Sequence, residues 1–256
     1  MLNYPSTQFP DSGEERAAMV REMFTAIAPR YDLLNHVLSF GIARLWWRHT
    51  AAAFSHLLNR GGARILDLCC GTGDMTFALG RQARNTGTPP EFWGVDFSHP
   101  MLLRAQGKAE RKPARKALVV CWIEADALRL PFPDGVFQLV ASAFGFRNLA
   151  NYDGGLREIW RVLAPGGEVG ILDFAEPGGL FGKLYGLYFR HVLPRAGTLL
   201  SGVQGPYAYL PASVRRFPEP DEMLGRMRAA GFRPVSWTPY TGGIAGLYRG
   251  TKAIQE

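Results

Sequence analysis

The stretch that decides the fold is Arg64-Ile-Leu-Asp-Leu-Cys-Cys-Gly-Thr-Gly-Asp74. Its apolar run, residues 65–68, is typical of a strand that is buried in a parallel sheet. Gly71 and Gly73 follow at once and allow the backbone to turn sharply and to approach a ligand closely. Asp74 then begins a helical pattern. A strand, a glycine turn and a helix N-terminus in this order predict a nucleotide-type site beyond the carboxyl end of the strand.

A second acid narrows the kind of ligand. The dinucleotide fingerprint G-x-G-x-x-G needs a third glycine at position 76, where this chain has Thr76. The next predicted strand, 91–96, ends in Asp96, whose carboxylate can accept hydrogen bonds from both hydroxyls of a ribose. The pattern Asp67-x-x-x-Gly71-x-Gly73 resembles the first motif of class I S-adenosylmethionine-dependent methyltransferases. Their ligand has a ribose, an amino-acid end and a sulfonium but no phosphate.

Strands and helices alternate through the rest of the chain, which predicts a parallel sheet with helices on both faces. Residues 1–13 are expected to be disordered, residues 14–60 to form an N-terminal helical cap, and residues 61–252 to form the main domain. The predicted strands lie at 64–69, 91–96, 118–124, 136–143, 168–174, 232–239 and 243–250, and the predicted helices at 14–28, 31–40, 42–58, 74–84, 99–111, 153–163 and 219–230.

Composition bounds the class of protein. The chain has 256 residues, 47% hydrophobic and 20% charged, which suits one large globular domain. It shows no signal peptide and no run of eighteen apolar residues that could span a bilayer. Three cysteines in apolar strand contexts, Cys69, Cys70 and Cys121, indicate buried thiols in a reducing cytoplasm. The adjacent pair lacks the spacing of metal ligands, so no metal site is predicted.

The net charge of +7 is partly gathered on the helix predicted at 99–111 and just after it. Basic surfaces can attract nucleic acid or anionic lipid headgroups, although such a run is more often a solvated face. Both interpretations stay open. The cluster consists of Arg104, Lys108, Arg111, Lys112, Arg115 and Lys116.

Further segments resemble one family closely. The most diagnostic are Arg30-Tyr31-Asp32-x-x-Asn35 and Phe144-Gly145-x-Arg147-Asn148, whereas residues 161–167 are shared by many class I methyltransferases. From about residue 15 to 252 the chain is similar to the ubiquinone/menaquinone biosynthesis C-methyltransferase family. The matching segments lie at 27–35, 38–41, 128–134, 144–148, 161–167, 207–210 and 243–250.

The resemblance implies an α/β, Rossmann-like class I fold with a seven-stranded, mostly parallel sheet and a reversed last strand. It implies S-adenosylmethionine as the methyl donor and the ring carbon of a polyprenylated quinol as the acceptor. Thr72 would lie at the glycine turn, Asp96 at the ribose, and Asp126 with Ala127 around the adenine. Ala143 stands where some members carry a serine, so a contact there must be made by the backbone. The implied cofactor contacts are Asp67, Gly71, Thr72, Gly73, Asp96, Asp126, Ala127 and Ala143.

Methylation of a ring carbon requires electron density on that carbon, which loss of a phenolic proton supplies. A cation near the oxygen would lower the pKa of the phenol. Arg147 and Asn148, just past strand four, are the predicted catalytic residues, and the alternative for Arg147 is a structural pair with an acid. Asp32 and His36, with Tyr31 beside them, are candidate proton acceptors, as is water.

A hydrophobic acceptor with a long tail requires an apolar lid over the site. A helical lid insertion is predicted at 175–218, after strand five. Basic residues such as Lys183 and Arg190 interrupt the apolar run at 179–210, so it cannot span a bilayer. One hypothesis places it at an anionic membrane surface, on the inner face of the membrane. The other packs it on its own sheet or on a homodimer partner.

Competing activities stay open beside quinol methylation. Nucleic-acid amino methyltransferases usually carry Asn/Asp-Pro-Pro-aromatic after strand four, where this chain has Phe144-Gly145-Phe146-Arg147, so no nucleic-acid partner is expected. Methylation of another small molecule is a second possibility, and nucleoside binding without catalysis is a third, which the intact Gly71, Gly73, Asp96 and Arg147 disfavour. We favour demethylmenaquinol as the acceptor, with the ubiquinone-pathway 2-polyprenyl-6-methoxy-1,4-benzoquinol as the second.

Overall fold

A computed structural model of the chain shows a central sheet between two layers of helices. The predicted helix at 31–40 and most of the predicted lid lie outside the described part of the chain, as do Asp32, His36 and the expected disordered residues 1–12. The structure describes residues 13–28, 41–83, 88–111, 118–178, 182 and 206–254.

Seven strands form the sheet in the order β3-β2-β1-β4-β5-β7-β6. Strands β1 to β5 pair in parallel, and β7 runs antiparallel to both β5 and β6. The predicted seven-stranded sheet with a reversed last strand is therefore confirmed. The strands are β1 (Arg64–Leu68), β2 (Glu91–Asp96), β3 (Val120–Glu124), β4 (Phe137–Ala143), β5 (Leu163–Phe174), β6 (Phe232–Tyr240) and β7 (Ala245–Lys252).

Strand five is longer than predicted. Strand β5 begins at Leu163, five residues before the predicted start at 168, because Leu163 already pairs with Phe137. The next pairing joins Glu168 to Leu139, so the residues between bulge out of the ladder. Gly166 supplies the positive φ of 76° that this bulge requires.

The helices that flank the sheet begin at recognisable signals. The Asn151 side chain accepts a hydrogen bond from the Gly154 N–H at the start of α6, and Pro220 begins α8. None of the helices in the described ranges is long and apolar enough to cross a membrane. The helices are α1 (Glu14–Ile27), α2 (Ile42–Ala53), α3 (Ser55–Leu58), α4 (Asp74–Gln82), α5 (His99–Glu110), α6 (Tyr152–Val162), α7 (Pro206–Arg216) and α8 (Pro220–Ala229), with a 3-10 turn at Phe146–Asn148.

The prediction of a single helix at 42–58 is wrong, because the helix is interrupted at Phe54, between α2 and α3. The Phe54 ring is fully buried and lies where a side chain on Gly170 of β5 would stand. Packing of this ring into the sheet therefore takes precedence over helix continuity.

Alternating side chains divide the core into two layers. Leu66 and Val140 face the layer that contains α6 and α8, whereas Ile65 and Leu139 face the layer that contains α2 and α4. Because the parallel strands β1, β2 and β4 end at the same edge of the sheet, the segments that follow them meet there.

A substitution at Gly94 of β2 can test how closely the side chains near this edge of the sheet are packed. A Cβ at this buried position would overlap the Trp122 ring and come within 3.2 Å of Cys70 Sγ. We expect Gly94→Ala to lower the free energy of unfolding by about 1–3 kcal/mol, which lowers Tm by several degrees in thermal unfolding followed by circular dichroism. Gly107→Ala on α5, where a Cβ meets nothing within 4 Å, is the control and should not lower Tm. Equal Tm values for wild type and Gly94→Ala would contradict the packing.

Candidate functional site

A cavity of about 1050 Å³, counted to its open mouth, lies beyond the carboxyl ends of β1, β2 and β4. Its wall combines the turn after β1, the segments that follow β2, β3 and β4, and side chains of α1 and α2. A concave site at this edge is where open α/β sheets bind their ligands. The parts of the wall are residues 67–72 with Asp74 and Met75, residues 95–97 with Met101, residues 125–128, residues 143–145 with 148–150, and Ala17, Phe24 and Trp47.

The glycine turn has the geometry that the sequence predicts. Gly71 and Gly73 have φ values of 53° and 82°, in the left-handed region that favours glycine. A Cβ on Gly73 would also come within 2.9 Å of the Trp122 ring and 3.1 Å of Phe77. Gly73 is therefore required by its neighbours in the fold, and Gly71 is the glycine that lines the cavity.

Asp67 lies in the wall of the cavity and is 1% exposed. Its Oδ2 accepts a hydrogen bond of 2.5 Å from Thr76 Oγ1, the residue that replaces the third glycine of the dinucleotide pattern. Its Oδ1 is buried and has no hydrogen-bond partner among the described residues. Burial raises the pKa of the Asp67 carboxyl to about 7, although the Thr76 bond opposes this shift. A buried oxygen without a hydrogen-bond partner suits a ligand that carries a hydrogen-bond donor.

Asp96 joins strand two to the glycine turn. Its Oδ2 accepts from the Gly71 N–H at 2.8 Å and its Oδ1 from the Ser98 N–H at 2.9 Å. Burial raises the pKa of Asp96 to about 6, against the effect of these N–H donors. Asp96 lines the cavity, and each of its oxygens can accept a further hydrogen bond, as two ribose hydroxyls would require.

Lys108 of α5 is a member of this site that sequence reasoning missed. Its Nζ donates to Thr72 Oγ1 at 2.8 Å and to Asp74 Oδ1 at 3.0 Å. This residue of the basic cluster therefore holds the glycine turn by hydrogen bonds and is not part of a solvated face. No local sequence pattern indicates this role of Lys108, because its two partners lie 34 and 36 positions away in the chain.

The remaining predicted cofactor residues line the same cavity. Asp126 is exposed and its Oδ1 accepts from the Leu128 N–H at 2.9 Å, whereas Ala127 is buried. Ala143 lies at the end of β4 and offers only a methyl group and its backbone. The structure thus brings all the predicted cofactor residues to one edge of the sheet.

Arg147 lies behind the wall and not in it. Its guanidinium is 6% exposed and pairs with Asp173 Oδ1 at 3.0 Å, and the Arg147 N–H donates to Asp173 Oδ2 at 3.0 Å. The side chain also donates to the Phe144 carbonyl and, at 3.4 Å, to Ser213 Oγ. The structure therefore places Arg147 in a buried pair with an acid, which the sequence left open. Its contact with the acceptor stays a prediction.

Asn148, in contrast, lines the cavity. Its Oδ1 accepts a hydrogen bond of 3.0 Å from the hydroxyl of Tyr209 on α7. Four aromatic side chains in the wall, Phe24, Trp47, Phe97 and Phe144, were not predicted as site residues. Phe144 has a positive φ of 58°, an uncommon conformation for a bulky residue that occurs most often at functional sites.

The comparisons with known proteins agree with this site. A model of the ubiE/COQ5 methyltransferase family matches residues 10–252. The demethylmenaquinone methyltransferase of Deinococcus radiodurans is 48% identical over 240 residues, 93% of this chain and 95% of that one. The ubiquinone/menaquinone biosynthesis C-methyltransferase UbiE of Geobacter sulfurreducens is 40% identical over 244 residues, 94% of this chain and 91% of that one.

A solved structure shows the same fold. The crystal structure of a SAM dependent methyltransferase from Aquifex aeolicus has a TM-score of 0.54 and 18% identity, and covers 76% of this chain and 85% of that one. The sheet order and the cavity at its edge are those of the class I methyltransferase fold. The chain belongs to the ubiE/COQ5 methyltransferase family. The predicted family and its cofactor, S-adenosylmethionine, are confirmed.

The buried Asp67 predicts a pH-dependent stability. The folded protein holds a proton on this carboxyl up to about pH 7, whereas the ordinary pKa of the group is 3.8. The free energy of unfolding should therefore fall as pH rises between these values. Asp67→Asn removes this contribution, which is at most about 4 kcal/mol. We expect the Tm of the ligand-free variant to match wild type near pH 4.5 and to exceed it at pH 8.

Asp221→Asn, on the exposed first turn of α8, is the control for loss of a carboxylate. Because this side chain is exposed and its carboxylate stays in water, Asp221→Asn should not raise Tm above that of wild type at pH 8. If Asp67→Asn behaves in the same way, Asp67 is ionised in the folded protein throughout this range and the argument from burial is wrong.

Proposed function

We propose that this protein transfers a methyl group from S-adenosylmethionine to a ring carbon of demethylmenaquinol, a polyprenylated quinol, and forms menaquinol. One observation carries the proposal: the acidic glycine turn and an aromatic wall share a single cavity. The turn suits a cationic nucleoside and the wall suits a flat, apolar ring. The name and the 48% identity of the Deinococcus relative support this acceptor.

The described residues fit S-adenosylmethionine. Asp67 Oδ1, which is buried and lacks a partner among them, would accept from the ammonium of its amino-acid end. Asp96 would accept from the ribose hydroxyls, and Asp126 with Ala127 would border the adenine. Burial raises the pKa of Asp67 and of Asp96, and a ligand with net positive charge would lower both, so these carboxyls favour a cationic ligand. Thr72 is held at the turn by Lys108, so Gly71 and Thr72 would contact the amino-acid end.

When bound, S-adenosylmethionine supplies an electrophilic methyl group: the ring carbon forms the new carbon–carbon bond, the methyl–sulfur bond breaks with its electron pair left on sulfur, and the ring hydrogen leaves as a proton. The residues of this chain orient the acceptor and keep water away from it. Asn148 lies where it can bond a ring hydroxyl. Arg147 helps to position the wall around the acceptor and does not supply a free charge to it, because its guanidinium is already paired with Asp173.

Phe24, Trp47 and Phe144 are proposed to enclose the acceptor ring. They come from α1, α2 and the end of β4, so the ring would lie between the N-terminal helices and the sheet. Phe144 also packs against Phe174 with ring centroids 4.6 Å apart, which supports one position of this wall.

We also propose that the protein meets its acceptor at an anionic membrane surface. The polyprenyl tail of the acceptor resides in lipid, and the net charge of +7 favours contact with anionic headgroups. Flotation with vesicles that contain anionic lipid should carry the protein upward at low salt and much less at 0.5 M salt. Flotation that fails with anionic vesicles would contradict this part of the proposal, and a stable dimer in solution would favour the homodimer hypothesis.

Turnover is the test of the reaction. Incubation with demethylmenaquinol and methyl-labelled S-adenosylmethionine should place the label on a ring carbon, as determined by mass spectrometry and NMR of the product. Label on an oxygen would overturn the carbon methylation. Turnover confined to the ubiquinone precursor would reassign the acceptor and leave the reaction type intact.

Asp96→Asn tests the cofactor site. The change leaves one oxygen to serve both a ribose hydroxyl and the backbone donors, so affinity for S-adenosylmethionine should fall about tenfold or more in calorimetry. Asp221→Asn, far along the chain on α8, should bind as wild type does. Equal affinity for the Asp96→Asn variant and wild type would remove Asp96 from the cofactor site.

A further inference from the structure

Helix α7 holds two neighbouring residues of the site from behind. Tyr209 and Ser213 are one helical turn apart, and both are almost completely buried. The Tyr209 hydroxyl donates to Asn148 Oδ1 at 3.0 Å, and Arg147 Nε donates to Ser213 Oγ at 3.4 Å. One face of a single helix therefore fixes consecutive side chains of the 3-10 turn.

The orientation of the Asn148 carboxamide decides what the cavity wall can do. An amide has an acceptor oxygen at one side and an NH₂ donor at the other, and it can turn either way. The bond from Tyr209 engages Oδ1 and holds the carboxamide in one orientation, in which Nδ2 is the donor that can serve a ligand. A ring oxygen that loses its proton becomes an anion, which an amide NH₂ stabilises and an amide oxygen repels.

A neutral donor also suits the charge already in the site. Arg147, the cation nearest along the chain, is neutralised by Asp173 and lies behind the wall. An exposed protein cation beside the positively charged methyl donor would repel the donor and weaken its binding. An oriented amide avoids that cost while it still favours the anionic form of the acceptor.

We propose that Tyr209 is a positioning residue that keeps the Asn148 NH₂ toward the cavity, where it donates a hydrogen bond to the phenolic oxygen of the acceptor. The proposal rests on the function proposed above. The acceptor it requires is a hydroxylated aromatic ring whose oxygen lies beside the carbon that is methylated. Tyr209 itself does not touch the acceptor.

Tyr209→Phe tests the proposal, because it removes the hydroxyl and keeps the ring. With demethylmenaquinol we expect kcat to fall about 10- to 100-fold while the affinity for S-adenosylhomocysteine in calorimetry stays unchanged. The pH at which kcat reaches half its maximum should move upward, since the anion of the acceptor is less well stabilised. The matched control is Tyr152→Phe, because the Tyr152 hydroxyl donates at 3.0 Å to the Arg147 carbonyl in the same turn. Its pH profile should stay that of wild type.

A double-variant cycle separates positioning from general stability. If Tyr209 acts through Asn148, Tyr209→Phe should lower kcat little further once Asn148→Asp is present. Equal losses in both backgrounds would overturn the proposal, as would a wild-type kcat and pH profile in Tyr209→Phe. If Tyr209→Phe does not fold, Asn148→Asp decides alone: an upward shift of its pH profile supports the donor, and a wild-type profile overturns it. Absence of turnover in wild type would instead refute the proposed function.

Discussion

The buried ion pair between Arg147 and Asp173 is the constraint on which the rest of the site depends. It joins the 3-10 turn after β4 to the end of β5, and the Arg147 carbonyl accepts hydrogen bonds from Arg16 of α1 and Tyr152 of α6. With Ser213 of α7, five elements meet at one residue. Removal of one partner of such a pair leaves a buried charge uncompensated, at a cost of about 3–5 kcal/mol. The wall that carries Asn148 is therefore held in place from behind.

Charge divides the cavity into two ends. Neither Asp67 nor Asp96 forms an ion pair with another described residue, and the donors that reach them are a hydroxyl and backbone N–H groups. This end is complementary to a cofactor with net positive charge. At the other end the acid Asp173 is neutralised by Arg147, and the wall presents aromatic rings and one amide. We propose that the apolar quinol ring enters there, without the loss of strong hydration.

Local pattern was sufficient to predict the alternating strands and helices, the glycine turn and Asp96 at the end of strand two, because each depends on residues close together in the chain. The reversed last strand was predicted from the family resemblance alone. Local pattern could not predict the break at Phe54, where packing against β5 outweighs helical periodicity. Nor could it predict that Arg147 pairs with Asp173, or that Lys108 and Tyr209 support the site. These contacts join residues 26 to 61 positions apart and arise only from the tertiary fold.

A crystal structure with S-adenosylhomocysteine and a demethylnaphthoquinol analogue would test the central claim, that one cavity holds both the nucleoside and the ring. We expect the ribose hydroxyls to bind Asp96, and the ring to lie between Trp47 and Phe144 with one oxygen at Asn148 Nδ2. A nucleoside elsewhere, or a ring bound outside this cavity, would contradict it.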